Sequence, residues 1–307
     1  MGCGVSGSGD NCSGRWSMDS RGYGSMADRS GPLLSVVIPV LNEAGVIEET
    51  LRRLVAQDGV DEIIVVDNGS EDGTAEVVRH FAEAYPQVEL IHQPQRGIPP
   101  ARNAGFDKAR GEIIARTDAD TIVAADWAVT IRDFLAENPE TAAVTGLCTY
   151  HDSPIGFFLK SGQWLMIRAG RMGGRVGNMY GPNMAIRREA WEQVREDTQV
   201  RADVAEDLDL AICLLKKGLR IDQLVNMRAQ TSARRRRTSP RKQWEFQMVG
   251  LRTLRDHGAQ PRAVDKFIVS CAWATHTVQW PVYRFWDFNR RRFSFRPGAE
   301  RISAIGR

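Results

Sequence analysis

The sequence lacks most of the features that mark secreted, membrane-spanning and polyanion-binding proteins. Its five cysteines show no metal-ligand spacing, which indicates a reduced, cytoplasmic setting. No positively charged segment followed by an apolar one opens the chain, so the sequence gives no support for secretion. No segment contains the about 20 mostly apolar residues of a spanning helix. The net charge of +3 is too small to demand a polyanionic partner.

The composition is that of a globular enzyme. The 307 residues, of which 42% are hydrophobic and 26% charged, are enough to bury one large core. Residues 1–31 are an exception, because they are rich in Gly and Ser and nearly free of aliphatic side chains. We expect this leader to be disordered and the folded part to begin at residue 32.

Apolar runs alternate with helical patterns in the first half of the folded part. Residues 35–40, 62–67 and 111–116 are typical of buried strands, and residues 43–56 have helical periodicity, with Asn42 as the expected N-cap. This alternation predicts an α/β fold with a mostly parallel sheet flanked by helices. Ligands of such sheets bind beyond the carboxyl ends of the strands, where acidic residues follow these runs. A Gly-rich stretch at 170–181 predicts a mobile lid.

Two carboxylates, Asp118 and Asp120, follow the third of these strands one residue apart. If the backbone turns sharply there, they can hold a hard divalent cation, Mg²⁺ or Mn²⁺, that bridges two phosphates of a substrate. The alternative is a solvated turn, because aspartates often cap turns. The motif alone leaves both interpretations open.

The first strand is followed by residues 39–43, Pro-Val-Leu-Asn-Glu, where a dinucleotide-binding protein would have a Gly-x-Gly-x-x-Gly turn. This argues against NAD and for a nucleotide held differently, with Asp67 accepting from a base N–H. Asp67 alternatively caps the turn that follows it. Arg96 and Arg102 flank a Pro-Pro turn and either bind phosphate or a base, or are surface arginines.

A second acidic pair, Glu206 and Asp207, opens a helix predicted over residues 204–217, with Gly218 as its C-terminal stop. Asp203 and Glu206 have the spacing of a capping box, which gives Glu206 a structural explanation. Asp207 has none, so it is the candidate general base, with Glu206 as its possible support.

With these residues in place, the chain from 33 to about 218 resembles family 2 glycosyltransferases, nucleotide-sugar enzymes of the GT-A fold. Six motifs follow the order of the family: residues 35–43, 66–74, 101–105, 117–120, 181–188 and 206–210. The resemblance implies that Asp67 contacts the base and Arg102 the nucleotide, that Asp118 lies at the ribose or metal, and that Asp120 binds the metal. It also implies that Asp207 is the catalytic base of an inverting displacement.

The resemblance divides the chain into three parts. These are the leader at 1–31, a GT-A domain at 32–222, and a basic, aromatic and helical extension at 223–307. Within the domain, residues 33–122 would hold the nucleotide sugar and 123–222 the acceptor. The remaining donor-binding candidates are Pro39, Asn42, Glu43, Arg96 and Gly97, and the candidates for the acceptor or donor pocket are Asn183, Gln243 and Trp244.

One departure concerns the Gln-x-x-Arg-Trp signature of processive synthases, which is present only in altered order at residues 241–244. Processive synthesis is therefore not expected. The aromatic segment 267–288 is interrupted by polar residues, which favours a packed C-terminal helix over an interfacial membrane helix. The arginine runs 234–237 and 290–292 suit anionic headgroups or a lipid-linked diphosphate, or are solvated surface.

The sequence thus predicts an inverting glycosyltransferase that moves a sugar from a nucleotide-diphosphate donor, a UDP-sugar by preference, to a hydroxyl acceptor. A glycan or lipid-linked acceptor of the cell envelope is expected, with a cytoplasmic location and peripheral contact with the inner face of the plasma membrane as an open alternative. Two other functions compete: a nucleotidyltransferase on a related fold, and a non-catalytic membrane-binding or nucleic-acid-binding module that uses the arginine runs. No nucleic-acid partner is expected, because total charge is near neutral.

Overall fold

A computed structural model describes residues 31–298 and residue 300 of the protein. The predicted disordered leader lies outside these residues, apart from Gly31. The described residues from Pro32 onward form one compact unit. The strands are β1 (Leu34–Val40), β2 (Glu62–Asp67), β3 (Val88–His92), β4 (Ile113–Thr117), β5 (Thr121–Val123), β6 (Thr141–Tyr150), β7 (Gly174–Arg175), β8 (Asn183–Arg187), β9 (Arg220–Thr231), β10 (Trp286–Asp287) and β11 (Arg292–Phe293).

Helices follow most of these strands along the chain. They are α1 (Ile47–Val55), α2 (Thr74–Ala84), α3 (Ile98–Lys108), α4 (Trp127–Glu137), α5 (Gly156–Arg168), α6 (Arg188–Val194), α7 (Glu206–Lys216), α8 (Pro240–Asp256) and α9 (Ala263–Arg284). Short 3₁₀ turns lie at Arg195–Asp197 and Ala233–Arg237.

The central sheet has the strand order β3-β2-β1-β4-β8-β6-β9-β5, with β7 paired to β9. The first four strands in this order are parallel to one another, which confirms the predicted parallel β-α-β half. Antiparallel pairing enters where β8 lies between β4 and β6. Strands β6 and β9 pair in parallel again. The predicted boundary of the extension, between residues 222 and 223, therefore falls inside β9, which is part of the central sheet.

Helices cover both faces of the sheet because alternate residues of the buried strands supply two apolar layers. Val36 and Ile38 of β1 pack with α1, α2 and α4, whereas Val37 between them packs with α3, α6 and α7. All residues of β2 are buried, as expected of a strand covered on both sides. Gly105 lets α3 approach this sheet closely, since a Cβ there would overlap the side chains of Val37 and Val66.

The start of α1 differs from the prediction that Asn42 caps a helix over 43–56. The helix begins at Ile47, and Asn42 lies before it at φ 57°, a left-handed conformation that Asn tolerates better than most residues. The side chain of Asn42 accepts a hydrogen bond from the Glu71 backbone N–H (2.8 Å) instead. The predicted cap is therefore wrong, because Asn42 joins the loop after β1 to the loop after β2.

The helix predicted over 204–217 is α7, and its end is as expected. Gly218 adopts φ 76°, its N–H bonds to the Leu215 carbonyl, and the Leu219 N–H bonds to the Leu214 carbonyl, which together form a Schellman ending. Its start is not a capping box, because Asp203 pairs with Arg201 and Arg252 at the surface. Glu206 is buried, so the structural explanation that spacing gave it is wrong.

The predicted C-terminal extension contains the end of β9, then α8 and α9, and then the β10–β11 hairpin. Helices α8 and α9 pack on each other, and Trp273 of α9 donates to the Pro240 carbonyl (2.8 Å) at the start of α8. Only His276 and Tyr283 of α9 are buried. Across residues 31–298, the structure contains no helix with the length and apolar character that spanning a bilayer requires.

Candidate active site

A cavity of about 170 Å³ lies at the carboxyl ends of β1, β2 and β4, where the sheet topology predicted a ligand site. Both carboxylates of the Asp-x-Asp motif line it. The other residues that line the cavity include Pro39, Glu43, Asn68, Ile98, Arg116, Tyr150, Tyr180, Thr231, Ser232 and Arg235. Residues that are distant in sequence therefore meet at one edge of the sheet.

Asp118 and Asp120 are held by different partners. Asp118 Oδ1 accepts from Arg116 Nη2 (3.0 Å), and Asp120 Oδ1 accepts from the Thr231 hydroxyl (3.2 Å). Burial raises the pKa of Asp118, opposed by Arg116 and reinforced by the nearby Asp120 charge. The alternative of a solvated turn does not hold, because Asp120 is largely buried among polar partners.

Arg234 lies between two of the acidic groups at the cavity. Its Nη2 is 2.9 Å from Asp120 Oδ2 and 2.9 Å from Glu43 Oε2. The 3₁₀ turn that carries it is held by Asp152, which accepts from Ser232 Oγ (2.5 Å) and from the Ala233 backbone N–H (2.7 Å). One guanidinium thus neutralises two carboxylates contributed by different loops.

The rest of the arginine run 234–237 is distributed around the same turn. Arg235 lines the cavity and stacks over Phe246, whereas Arg236 donates to the Tyr150 hydroxyl (3.3 Å). Arg237 donates to the Trp286 carbonyl and packs over Phe288. Of this run, Arg235 lines the cavity and remains exposed, whereas the other three arginines are partly buried and paired with protein groups.

Glu206 joins the start of α7 to the cavity through two buried arginines. Its Oε1 accepts from Arg116 Nη1, and its Oε2 lies 3.2 Å from Arg102 Nη1. Arg116 in turn reaches Asp118, so a chain of ion pairs runs from α7 to the Asp-x-Asp motif. Gly181 packs directly over this chain, since a Cβ there would overlap Arg116 and Glu206.

Asp207 lies beside this network and behind the cavity wall. Its Oδ2 accepts a long hydrogen bond from the Gly181 N–H (3.3 Å), between the cavity-lining residues Tyr180 and Pro182, but Asp207 itself does not line the cavity. Burial, and then the charge of Glu206, raises the pKa of Asp207 from 3.8 to about 6. Asp207 thus has the acidity of a base that works near neutral pH.

The loops after β2 and β3 form the side of the site predicted to hold the nucleotide. Asp67 accepts from the Ser70 N–H (3.0 Å), which is the turn-capping arrangement, and its other oxygen lies 3.4 Å from His92 Nδ1. Asn68 lines the cavity and fixes the 93–97 loop by accepting from the Gly97 N–H (2.8 Å). Arg96 is exposed, lies 3.4 Å from Glu71 and does not line the cavity.

Arg102 does not face the cavity, although it was predicted to contact the nucleotide. Its guanidinium is fully buried and donates to the Glu206 carbonyl (2.6 Å) and to Asn103 Oδ1 (2.8 Å). Trp191 covers one side of it. The structure gives Arg102 an internal role, because it compensates the charge of Glu206.

The three candidates for the acceptor or donor pocket also lie elsewhere. Asn183 is fully buried, where its amide accepts from Trp127 Nε1 (2.7 Å) and donates to the Leu147 and Met227 carbonyls. Gln243 is buried on α8, and Trp244 beside it stacks edge-on against Trp273. The pocket assignment is wrong for Asn183, and Gln243 and Trp244 do not line the cavity.

The cavity has donor atoms that suit a divalent cation. Two carboxylates, Asp118 and Asp120, line the cavity and form an oxygen-rich site, which hard cations prefer. The buried Nδ1 of His151 has no hydrogen-bond partner among residues 31–298, and Nε2 of this ring is 3.4 Å from the Asp120 carbonyl. The residues present therefore fit a metal at Asp120.

A second group of possible metal ligands, Asp209, Cys213 and His257, lies outside the cavity. Its atoms already have partners: Asp209 Oδ1 is 2.7 Å from His257 Nε2, and Cys213 Sγ donates to the Asp197 carbonyl (3.4 Å). His257 Nδ1 faces Lys216 Nζ at 3.0 Å. These contacts tie α7 to the end of α8.

Several site residues escaped the sequence analysis. Arg116 had a usable signal, because a charged residue inside an apolar strand must find a buried partner. No sequence pattern marked four further residues, because only the pairing of β6, β8 and β9 brings them to the cavity. They are Tyr150, Tyr180, Thr231 and Ser232. Asn68, which follows the second strand directly, was not among the candidates either.

The parallel half-sheet, the antiparallel β8 and the paired carboxylates at a strand end define the nucleotide-sugar transferase fold of GT-A type. Residues 35–195 match the family described as Glycosyl transferase family 2. Because this match spans just over half of the chain, the protein belongs to glycosyl transferase family 2. Both the fold class and the family predicted from the sequence are confirmed.

Among solved structures, the chain is similar to the mannosyltransferase PcManGT from Pyrobaculum calidifontis, solved in complex with GDP-Man and Mn²⁺. The TM-score is 0.60 at 25% identity, over 82% of this chain and 74% of that one. GalNAc-T7, solved with UDP, GalNAc and Mn²⁺, shares the fold with a TM-score of 0.54 at 17% identity, over 67% of this chain and 44% of that one.

Curated relatives match over shorter segments. Glycosyltransferase AglE of Haloferax volcanii is 42% identical over 100 residues, which are 31% of this chain and 33% of AglE. The dolichyl-phosphate beta-glucosyltransferase ALG5A of Trichomonas vaginalis is 37% identical over 103 residues, which are 30% of this chain and 32% of that protein. The chain thus spans about a third of the length of these relatives.

Proposed function

We propose that the protein is an inverting glycosyltransferase that moves a sugar from a nucleotide-diphosphate donor to a hydroxyl acceptor in glycan or glycolipid synthesis of the cell envelope. The observation that carries this proposal is the single cavity shared by Asp118, Asp120 and Arg235, with Asp207 directly behind its wall. Family membership supports the reaction type.

The donor diphosphate belongs at the Asp120 end of the cavity. A divalent metal bound there, Mg²⁺ or Mn²⁺, would supply Lewis-acid stabilisation of the diphosphate as it leaves. Asp120 and Asp118 would hold that metal, and Arg235 would bind phosphate oxygens beside it. The two solved relatives contain Mn²⁺ together with GDP-Man or with UDP and GalNAc, which supports a nucleotide-sugar donor and leaves both UDP and GDP to be tested.

Arg234 has to release Asp120 when the donor binds. The cavity of about 170 Å³ is smaller than the about 300–1,000 Å³ of a typical ligand site. We therefore propose that the 3₁₀ turn moves when the donor binds, which would enlarge the cavity, free the Asp120 carboxylate and make the Arg234 guanidinium available to the diphosphate. Arg234 is therefore the residue that neutralises Glu43 and Asp120 in the absence of donor.

In the transfer step, Asp207 accepts the proton of the acceptor hydroxyl while the hydroxyl oxygen bonds to the anomeric carbon. The bond from that carbon to the diphosphate oxygen breaks at the same time, and the electron pair leaves with the nucleoside diphosphate. A pKa of about 6 keeps Asp207 ionised at neutral pH and still basic enough to take the proton. Its weak contact with Gly181 is the one that has to open for the acceptor to approach.

The acceptor is a hydroxyl group of a glycan or of a lipid-linked molecule. The similarity to ALG5A, a dolichyl-phosphate beta-glucosyltransferase, supports a lipid-linked acceptor for this chain. Asp207 contacts the Gly181 N–H next to the cavity-lining Tyr180, so we propose that the acceptor hydroxyl approaches on this side of the cavity.

The decisive experiment measures release of free UDP or GDP from a panel of nucleotide sugars, with lipid extracts of cell envelopes as acceptors. The wild-type protein should release nucleoside diphosphate with one donor class, and Asp207→Asn should abolish release while nucleotide binding persists. Glu192→Gln, at the surface of α6, serves as a matched carboxylate control. Turnover that survives in Asp207→Asn would refute the role of Asp207.

A further inference from the structure

Helix α5 exposes most of its apolar side chains. Phe157 and Phe158 are 77% and 74% exposed, and Trp164 and Leu165 are more than half exposed, whereas Gly156 is the only buried residue of the helix. The side facing the protein is held by a polar contact, from Gln163 Nε2 to the Cys148 carbonyl (3.3 Å). A surface helix of a globular protein normally turns its apolar side inward, so α5 has the opposite arrangement.

Helix α9 has the same arrangement over a greater length. Trp273, His276 and Trp280 point inward and bond to backbone carbonyls of residues 240, 238 and 237. The exposed apolar residues on the outward side lie three or seven positions apart, except for the neighbours Phe267 and Ile268, as they do along one face of a helix; Phe285 directly follows α9. The exposed members of this stripe are Val264, Phe267, Ile268, Cys271, Val278 and Phe285.

The two helices are joined where α5 begins and α9 ends. Ser153, just before α5, lies 2.7 Å from the Tyr283 hydroxyl, and Trp286 Nε1 donates to the Asp152 carbonyl (2.9 Å). The hairpin of β10 and β11 that follows adds the exposed rings of Phe293 and Phe295. So many exposed apolar side chains on connected elements mark an interaction surface rather than scattered surface residues.

The charge on this surface has one dominant sign. From residue 153 to residue 188, which includes α5, the sequence contains no acidic residue but has Lys160, Arg168, Arg171 and Arg175. The hairpin carries the exposed run 290–292, Arg-Arg-Arg. Aromatic and aliphatic side chains flanked by Lys and Arg are the composition of helices that lie in the headgroup region of a bilayer.

We propose that α5, α9 and the β10–β11 hairpin form a docking surface for the face of an anionic lipid bilayer. A second copy of the chain is the less favoured occupant, because a symmetric contact would bring together two copies of the same positively charged surface. Anionic headgroups complement the arginines, and the apolar rings enter the acyl boundary. The docking itself is independent of the transfer reaction.

One consequence rests on the function proposed above. Tyr150, which lines the cavity, immediately precedes the segment leading into α5, and Arg236 connects it to the 3₁₀ turn. Docking through α5 would therefore hold the cavity close to the bilayer surface, where a lipid-linked acceptor presents its reactive group.

The test is sedimentation with vesicles of phosphatidylcholine alone and of phosphatidylcholine with phosphatidylglycerol. The full chain should bind the anionic vesicles, and raised salt should weaken binding. Phe157→Ser with Phe158→Ser, and separately Phe267→Ser with Ile268→Ser, should each reduce the partition coefficient by about tenfold or more, since each pair withdraws two large apolar side chains. Val129→Ser, on the exposed side of α4, should leave it unchanged.

Three results would overturn the proposal: wild-type protein that stays in the supernatant with anionic vesicles, equal binding by the variants, or light scattering that shows a dimer which the same variants dissociate. Unchanged melting temperatures confirm that the variants fold. Nucleotide-induced thermal shifts of the same variants separate this outcome from the proposed function, because those shifts should persist whether or not vesicles bind.

Discussion

Replacement of Glu206 by Gln tests whether this carboxylate holds the site together. The substitution keeps the size of the side chain and removes its charge, leaving Arg102 and Arg116 buried with less compensation. Breaking a buried ion pair by removing one partner costs about 3–5 kcal/mol. The two pairs share one carboxylate, so their losses should not be summed.

For a domain of this size, about 2–4 °C of melting temperature corresponds to 1 kcal/mol, so we expect Glu206→Gln to melt about 6–20 °C lower. A capping role, as the sequence suggested, would cost only about 0.5–2 kcal/mol. The assay is thermal unfolding followed by circular dichroism. Glu245→Gln, which affects an exposed pair with Arg241, is the control and should melt like the wild type. A Glu206→Gln variant that melts within about 2 °C of the wild type would refute the ion-pair chain.

Three further predictions concern titration, metal and packing. Transfer should fall as pH drops below about 6, where Asp207 becomes protonated. The raised pKa of Asp207 contributes stability that is fully present below pH 3.8 and is lost as pH rises through about 6. At pH 8, Asp207→Asn should therefore be more stable than the wild type in urea unfolding, by at most about 3 kcal/mol. Equal or lower stability of the variant would contradict the raised pKa. Arg234→Gln should lower the Mn²⁺ concentration needed for half-maximal nucleotide binding several-fold, whereas an unchanged or higher requirement would show that Arg234 does not compete for Asp120. Asn183→Ala should lower the free energy of unfolding by about 1–3 kcal/mol, because it leaves the buried Trp127 N–H without a partner. The KM for the donor should not change, and a raised KM would show that Asn183 contacts the substrate.

The sheet and the position of the site followed from local patterns. The buried strand 62–67 has a continuous apolar run at residues 63–66, and parallel strands connected by helices place their carboxyl ends together. The position of Asp118 and Asp120 at a cavity on this edge was therefore predictable. Gly218 ends α7 as predicted, because it adopts a left-handed backbone conformation (φ 76°) that glycine tolerates without strain.

Long-range pairing could not be inferred in this way. Asp203 and Glu206 have the spacing of a capping box, but burial of two arginines 90 and 104 residues earlier gives Glu206 a stronger partner than a helix N–H. The arginine run 234–237 looked uniform in sequence, yet each member meets a different group because a 3₁₀ turn points them in different directions. Asn183 lies in one of the family motifs, but its amide forms buried hydrogen bonds with Trp127 and with two backbone carbonyls in the core.

The central claim is that the donor diphosphate is held at Asp120 with a divalent cation. Calorimetric titration of UDP and GDP into the protein, with Mn²⁺ and with chelator, tests it most directly. We expect one nucleotide to bind in a metal-dependent manner, binding to be lost in Asp120→Asn, and binding to persist in Asp126→Asn, where the replaced carboxylate is exposed. Equal affinity with Mn²⁺ and with chelator, or full affinity in Asp120→Asn, would contradict it.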